Sequence, residues 1–260
     1  MPEARARVEI DRLLDGAGWA VQNAVAVNLT ASRGVAVREF VMKLPHGRAD
    51  YLLFLDGRAA GVIEAKKEGE TLTGVEHQST KYVDGLPEDL EPAVEGGLAF
   101  VYESTGTETR FTNRLDPDPA SRPVFSFHRP ETLAGWLEDL RRHPSAPTLR
   151  HRLRALPELE VTGLWPAQFR AITNLEASLA ANRPRALIQM ATGSGKTFTA
   201  ANVAYRLVKH ADARRVLFLV DRANSDGQQV RILSPSSGRE SRRRDSNPWP
   251  RAYKARALTS

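Results

Sequence analysis

The chain has 260 residues, 41% of them hydrophobic, so it can bury one large core or two modest ones, and we expect two folded units. It contains no cysteine, which excludes disulfides, thiolate metal sites and cysteine nucleophiles. Much of the formal charge of +6 lies in residues 232–260, which hold seven basic and two acidic residues, so bulk charge is weak evidence for nucleic-acid binding.

The first predicted element is a helix over residues 3–18, where the apolar positions follow a helical spacing. Strand-like runs follow, interrupted by a helix predicted around residues 74–83. These runs cover residues 25–29, 34–42, 49–55, 59–65 and 97–102. Two proline-rich stretches then bracket the amphipathic segment ETLAGWLEDLRR, which indicates a connector over residues 113–160.

The second predicted unit begins near residue 161. It consists of a helix over residues 166–181, an apolar strand over 186–190, a glycine-rich turn, a helix over 197–210 and a strand over 215–220. This order predicts the opening of a parallel βαβ sheet.

No apolar run in the sequence approaches the roughly 18 to 20 residues that would span a bilayer. The N-terminal residues MPEARARVEIDR are charged, unlike an export signal. The default expectation is a cytoplasmic protein without a membrane partner.

The segment GRADYLLFLDGRAAGVIEAKK contains two acidic residues and a lysine that could form one site: Asp50, Glu64 and Lys66. Two carboxylates that converge can hold Mg²⁺, which polarises a phosphate and lowers the pKa of an attacking water. A nearby ammonium can orient that water or stabilise the developing charge. This chemistry is phosphodiester hydrolysis, although charged residues at the exposed ends of a hairpin would give the same pattern.

The hairpin turn decides whether these three side chains meet. With a two-residue turn at Asp56 and Gly57, Glu64 and Lys66 would face away from Asp50, because side chains alternate along a strand. A three-residue loop with Gly57 in the left-handed conformation brings all three to one face. We therefore predict that loop, or a bulge with the same effect.

The pattern of Asp50 with Glu64-Ala65-Lys66 resembles the PD-(D/E)xK nuclease core, with Ala49 in place of the family's proline. The predicted helix that follows carries Gln78 and Tyr82 in HQSTKY, similar to the QxxxY motif of the restriction subunit of type I restriction-modification enzymes. Their spacing puts both side chains on one helix face, to contact the DNA backbone or brace the site. An ordinary amphipathic helix is the alternative.

The segment LIQMATGSGKTFTA has the form of a phosphate-binding loop. Its loop residues are Thr192, Gly193, Ser194, Gly195, Lys196 and Thr197. The glycines let backbone N–H groups approach phosphate, Lys196 can reach the β and γ phosphates of ATP, and the Thr197 hydroxyl can ligate Mg²⁺. Met190 replaces the first glycine of the strict motif, as in superfamily 2 helicases, which this loop resembles.

Upstream of the loop, Gln168 in GLWPAQFRAI is similar to the adenine-sensing glutamine of those helicases, although a surface glutamine is the alternative. A nuclease followed by a motor is the order found in the restriction subunit of type I enzymes. The resemblance implies DNA as substrate and methyltransferase and specificity subunits as partners. It also implies Mg²⁺-dependent cleavage coupled to ATP-driven translocation.

These observations predict an α/β chain with two parts. A PD-(D/E)xK nuclease-like mixed sheet with flanking helices takes residues 1–112, with 113–160 completing it. An incomplete RecA-like parallel α/β domain, the start of the first helicase lobe, takes residues 161–224.

Residues 225–260 lack apolar periodicity and are expected to be a disordered or aberrant tail after a truncation; a basic arm that binds nucleic acid is the alternative. An acidic DEAH-like motif is missing, which argues against a stand-alone ATPase. A catalytically silent fragment that binds DNA or partner subunits is the alternative to the nuclease.

Overall fold

The structure is a computed structural model that describes residues 2–69, 72, 85–183, 185–218 and 231–233. The chain divides into two compact units, Met1–His151 and Arg152–Ser260. The predicted connector is therefore split between the two, and most of it belongs to the first unit. None of the helices in these ranges is long and apolar enough to cross a membrane.

The first unit is built on a seven-stranded sheet in the order β1-β2-β3-β4-β5-β6-β7. The strands are β1 (Ala20–Asn23), β2 (Gly34–Val41), β3 (Arg48–Leu55), β4 (Arg58–Ala65), β5 (Phe100–Ser104), β6 (Thr109–Asn113) and β7 (Arg122–Val124). The β1–β2 and β4–β5 pairs are parallel and the other pairs are antiparallel. The predicted mixed sheet is confirmed.

Two helices, α1 (Pro2–Gly16) and α2 (Pro130–Arg142), cover one face of this sheet. Ile10 and Leu14 of α1 and Leu133 and Leu137 of α2 are buried in a core with alternate residues of the central strands. The opposite face carries a second apolar cluster that includes Leu52 and Val62. Because β3 and β4 are buried on both faces, their sequences are nearly continuous apolar runs.

One predicted strand of this unit is wrong. Residues 25–29 do not form a strand; the chain makes a turn of 3₁₀ helix at Ala24–Ala26, where Val25 is 98% exposed. The strand β1 lies just before it and pairs with β2 instead. An extended conformation is stabilised by hydrogen bonds to a neighbouring strand, so an apolar run that does not lie along a strand edge need not form a strand.

The second unit contains the helices α4 (Pro166–Ala180) and α5 (Lys196–His210). The division between the two units falls within the short helix α3 (Leu149–Arg154). Arg206 of α5 forms a buried ion pair with Glu176 of α4, 2.6 Å between Nε and Oε1, and also donates to the carbonyl of Pro157. These bonds fasten the two helices to the segment that precedes them.

The parallel RecA-like sheet predicted for this unit is not formed in the residues that the structure describes. Residues 186–190 have no strand pairing, and Leu187 is 92% exposed. The strand β8 (Val216–Phe218) pairs antiparallel with β9 (Arg231–Leu233). A buried parallel strand needs hydrogen-bonding neighbours and covered faces, and the described part of the chain gives residues 186–190 neither.

Candidate active site

The β3–β4 hairpin has a two-residue turn and a bulge. Asp56 and Gly57 both have positive φ, 48° and 82°, as a tight hairpin turn requires. Leu55 pairs with Arg58, but further along the hairpin Leu53 pairs with Gly61, so β4 holds one extra residue. The predicted three-residue loop is wrong, and the predicted alternative, a bulge with the same effect, is confirmed.

The bulge determines the face of the sheet from which the acidic side chains project. Beyond it Tyr51 pairs with Ile63, and one more step along this register puts Asp50 opposite Glu64. The Ala65 N–H donates to Asp50 Oδ2 over 2.9 Å, so the Asp50 side chain reaches across to β4. The structure therefore brings the two predicted carboxylates together.

The Asp50 carboxylate is largely buried, with 14% of its side chain exposed. Its second oxygen, Oδ1, accepts from Arg7 Nη2 of α1 at 2.7 Å. Burial raises the pKa of Asp50 and the neighbouring Glu64 carboxylate raises it further, against the Ala65 N–H and Arg7, which lower it. Repulsion between two close carboxylates is the electrostatic signature of a site that favours a cation.

Glu64 and Lys66 form an ion pair on β4 and just after it, with 3.0 Å between Nζ and Oε1. Their side chains are only 14% and 16% exposed. Glu64 Oε2 is buried and has no hydrogen-bond partner among the residues that the structure describes. A buried carboxylate oxygen is costly to leave unsatisfied, and none of the described residues satisfies this one, so the atom suits a cation.

Sequence reasoning missed Glu103. It pairs in register with Glu64 across the parallel β4–β5 pair, and it is only 3% exposed. Register partners on neighbouring strands project to the same face, so a third acidic side chain lies beside the pair. The signal was a lone glutamate ending the apolar run FVYES, which has no distinguishing local pattern.

A divalent metal is compatible with these residues. Asp50 and Glu64 offer hard oxygen donors of the kind that Mg²⁺ prefers, and no described residue bonds the Glu64 Oε2 atom. In the described part of the chain no three acidic or histidine side chains converge closely enough to hold a metal by themselves. A cation here would take two protein carboxylates and complete its shell with water or phosphate oxygens, as Mg²⁺ commonly does.

Gln78 and Tyr82 lie outside the residues that the structure describes, so their position relative to Asp50 and Glu64 stays a prediction.

The predicted phosphate loop leads directly into helix α5, which begins at Lys196. Gly193 and Gly195 have φ of 79° and 83°, a conformation that glycine adopts without strain. Lys196 Nζ donates to the loop carbonyl of Met190 at 3.3 Å. Thr192 and Thr197 are exposed.

Gln168 is buried, so the alternative interpretation of it as a surface glutamine is wrong. It is 5% exposed, its side chain accepts from the Trp165 N–H at the start of α4, and its Nε2 donates to the Ser194 carbonyl at 3.0 Å. This glutamine therefore ties the beginning of α4 to the phosphate loop. Whether it also senses adenine stays a prediction.

Comparisons with known proteins agree with the two-part reading. Residues 21–112 match the family model "Type I restriction enzyme EcoKI endonuclease subunit second domain". Residues 162–246 match the family model "Type III restriction enzyme, res subunit". The second match runs past residue 224, into the segment for which the sequence pattern predicts an aberrant tail. No solved structure matches the chain significantly.

Two curated relatives come from Escherichia coli. The type I restriction enzyme EcoKI endonuclease subunit of strain K12 is 28% identical over 283 aligned residues, which cover 88% of this chain and 23% of the relative. The type I restriction enzyme EcoAI endonuclease subunit is 42% identical over 55 residues, 21% of this chain and 7% of the relative. The chain thus spans less than a quarter of the length of these relatives. By these matches, and by the residues that first indicated it, the chain is recognised as a relative of the endonuclease subunit of type I restriction enzymes.

Proposed function

We propose that the first unit is a Mg²⁺-dependent nuclease of the PD-(D/E)xK kind that hydrolyses DNA phosphodiester bonds. The observation that carries the proposal is the opposition of Asp50 and Glu64 across the β3–β4 hairpin, with Lys66 on the Glu64 carboxylate. The sequence relationship to type I endonuclease subunits supports DNA as the substrate.

The chemistry divides among these three residues. Asp50 and Glu64 would hold the metal, which when bound supplies a Lewis acid for the phosphate and lowers the pKa of the attacking water. The Ala65 N–H fixes the rotation of the Asp50 carboxylate. Lys66 lies within 3.0 Å of Glu64, where its ammonium can orient the water or balance charge that develops on the phosphate.

The second unit is proposed to bind ATP through its phosphate loop. Backbone N–H groups around Gly193 and Gly195 would approach the phosphates, and Lys196 would turn from its own loop carbonyls to the β and γ phosphates. Thr197 would ligate the accompanying Mg²⁺ and Gln168 the adenine. In this proposal the motor drives DNA translocation in an assembly with methyltransferase and specificity subunits.

Nicking of supercoiled plasmid by the full chain, with and without Mg²⁺, tests the nuclease. Asp50→Ala should reduce the Mg²⁺-dependent rate by roughly two orders of magnitude or more, because one of two metal ligands is lost. Asp56→Ala is the matched control, since it removes an exposed turn carboxylate of the same hairpin and should cut normally.

Equal cutting by Asp50→Ala and the wild-type chain would contradict the assignment. If the wild-type chain nicks nothing over a range of pH and Mg²⁺, the result favours the other candidate, a catalytically silent chain that binds DNA or partner subunits. The exposed, unpaired segment at residues 186–190 favours that reading for the motor half.

A further inference from the structure

Arg7 of helix α1 lies directly on one of the proposed metal ligands. Its guanidinium forks between two carboxylates, with Nη2 at 2.7 Å from Asp50 Oδ1 and Nη1 at 2.7 Å from Glu39 Oε1. The Arg7 side chain is 34% exposed, and that of Asp50 is 14% exposed. A charge-assisted contact of this length at a sheltered carboxylate is among the stronger hydrogen bonds in proteins.

Arg7 is not needed to orient Asp50. The other oxygen, Oδ2, is held by the backbone N–H of Ala65, whose position is fixed by strand β4. The Arg7 guanidinium therefore covers Oδ1 but is not the main restraint on the Asp50 carboxylate. Replacing Arg7 should uncover that oxygen and leave the orientation of Asp50 largely as it is.

The other arm of the fork is anchored by a residue in an unusual conformation. Glu39 has φ of 49° within strand β2, where a non-glycine residue rarely adopts a positive φ. Its second oxygen, Oε2, lies 3.4 Å from Arg48 Nη1. Backbone strain of this kind persists when surrounding contacts hold it, and it often marks a functional position.

We infer that Arg7 is a resident counter-ion of the metal site, which covers Asp50 Oδ1 and raises the metal concentration at which the site fills. The inference rests on the proposed function of Asp50 and Glu64. A guanidinium stays charged at all accessible pH values, so it cannot yield its place by losing a proton and must move aside. Until it moves, it both blocks one oxygen and repels a divalent cation.

Titration of the full chain with Mn²⁺, followed by the electron paramagnetic resonance signal of the free ion, measures this effect without relying on cleavage. Arg7→Gln should bind Mn²⁺ on the order of tenfold more tightly than the wild-type chain, because both the blocking group and its charge are removed. Arg7→Lys keeps the charge but loses the fork, and its affinity should fall between the two.

Arg48→Gln is the matched control. It removes a 59% exposed arginine that contacts the same Glu39, and its Mn²⁺ affinity should stay at the wild-type value. Thermal unfolding of each variant shows whether it is folded. If Arg7→Gln does not fold, the Arg7→Lys titration decides the matter by the same criterion of tighter binding.

Asp50→Asn distinguishes failure of the counter-ion role of Arg7 from failure of the proposed metal site. If it abolishes Mn²⁺ binding while loss of the Arg7 fork leaves the affinity unchanged or weaker, the counter-ion role is overturned and the metal site stands. If Asp50→Asn binds Mn²⁺ as the wild-type chain does, the proposed site itself fails. Tighter binding in Arg7→Gln that disappears when Asp50→Asn is added supports both.

Discussion

At the scale of single residues, one extra residue in β4 determines whether the hairpin has an active site. Side chains alternate from face to face, so a shift of one position exchanges the faces of all later residues. The bulge between the pairs Phe54–Ala59 and Leu53–Gly61 makes this shift and sets Asp50 opposite Glu64. The chemistry of the three residues predicted that a loop or a bulge must exist, but it did not tell which of the two.

The contacts that surround this pair were beyond prediction from the sequence. Arg7 lies 43 residues before Asp50, and Glu103 is joined to Glu64 only through the pairing of β4 with β5. Neither residue belongs to a recognisable local pattern, because tertiary pairing alone brings it near. The convergence of Asp50, Glu64 and Lys66 was predictable. Asp50 lies at the start of one apolar run, and Glu64 and Lys66 lie at the end of the next.

A half-buried histidine should make the first unit sensitive to acid. Burial lowers the pKa of His128 to about 4 from an ordinary value of 6.5, and its Nδ1 lies 2.8 Å from the Tyr102 hydroxyl. Between these pH values the unfolded chain binds a proton that the folded chain does not. The resulting stability is present above pH 6.5 and is lost as pH falls to about 4.

Chemical unfolding at a series of pH values measures this loss, which should be about 2 to 3 kcal/mol for the wild-type chain. His128→Asn removes the titrating ring and should flatten the pH dependence in that interval. An equally steep fall in the variant would show that other groups cause it.

At the scale of elements, the sheet was predictable where its strands are buried on both faces. The runs that became β2, β3, β4 and β5 are rich in apolar residues, and each was expected within a few positions. By contrast β6 and β7 are short; β7 fell inside the predicted connector, and β6, which ends where that connector was expected to begin, was not predicted as a strand. The strand expected at residues 186–190 had a suitable composition, but none of the described residues pairs with it.

The parallel contact of β4 with β5 depends on Gly61. A Cβ atom at this position would lie 2.5 Å from the carbonyl oxygen of Phe100, a backbone atom that cannot turn aside. Gly61→Ala should therefore lower the free energy of unfolding by about 1 to 3 kcal/mol, measured by urea denaturation.

Gly135→Ala is the matched control within helix α2, where an added Cβ meets nothing within 4 Å. It should be neutral or raise the free energy of unfolding by up to about 1 kcal/mol, since alanine favours helix. Equal stability of Gly61→Ala and the wild-type chain would mean that β4 and β5 are not so closely paired.

At the scale of the whole molecule, the first unit includes most of the segment, residues 113–160, that was expected to complete it. That segment holds β7 and α2, and Leu133 and Leu137 of α2 are buried in the main core. The proline-rich stretches around α2 have the composition of linkers, and the amphipathic segment between them is a helix that packs on one face of the sheet.

Two shortened chains test this boundary. A chain of residues 1–151 should unfold in one cooperative thermal transition, because it keeps both helices on the sheet. A chain of residues 1–112 exposes the apolar surface that α2 covers and should show no such transition. Cooperative unfolding of the shorter chain would contradict the packing described for α2.

The proposal that the two carboxylates of the hairpin hold a metal for DNA hydrolysis can be checked at Glu64 itself. The measurement is the Mg²⁺-dependent rate of plasmid nicking by the wild-type chain, Glu64→Ala and Glu68→Ala, the last removing an exposed glutamate four residues further on. We expect near-background nicking by Glu64→Ala and wild-type nicking by Glu68→Ala. Undiminished nicking by a folded Glu64→Ala would contradict it.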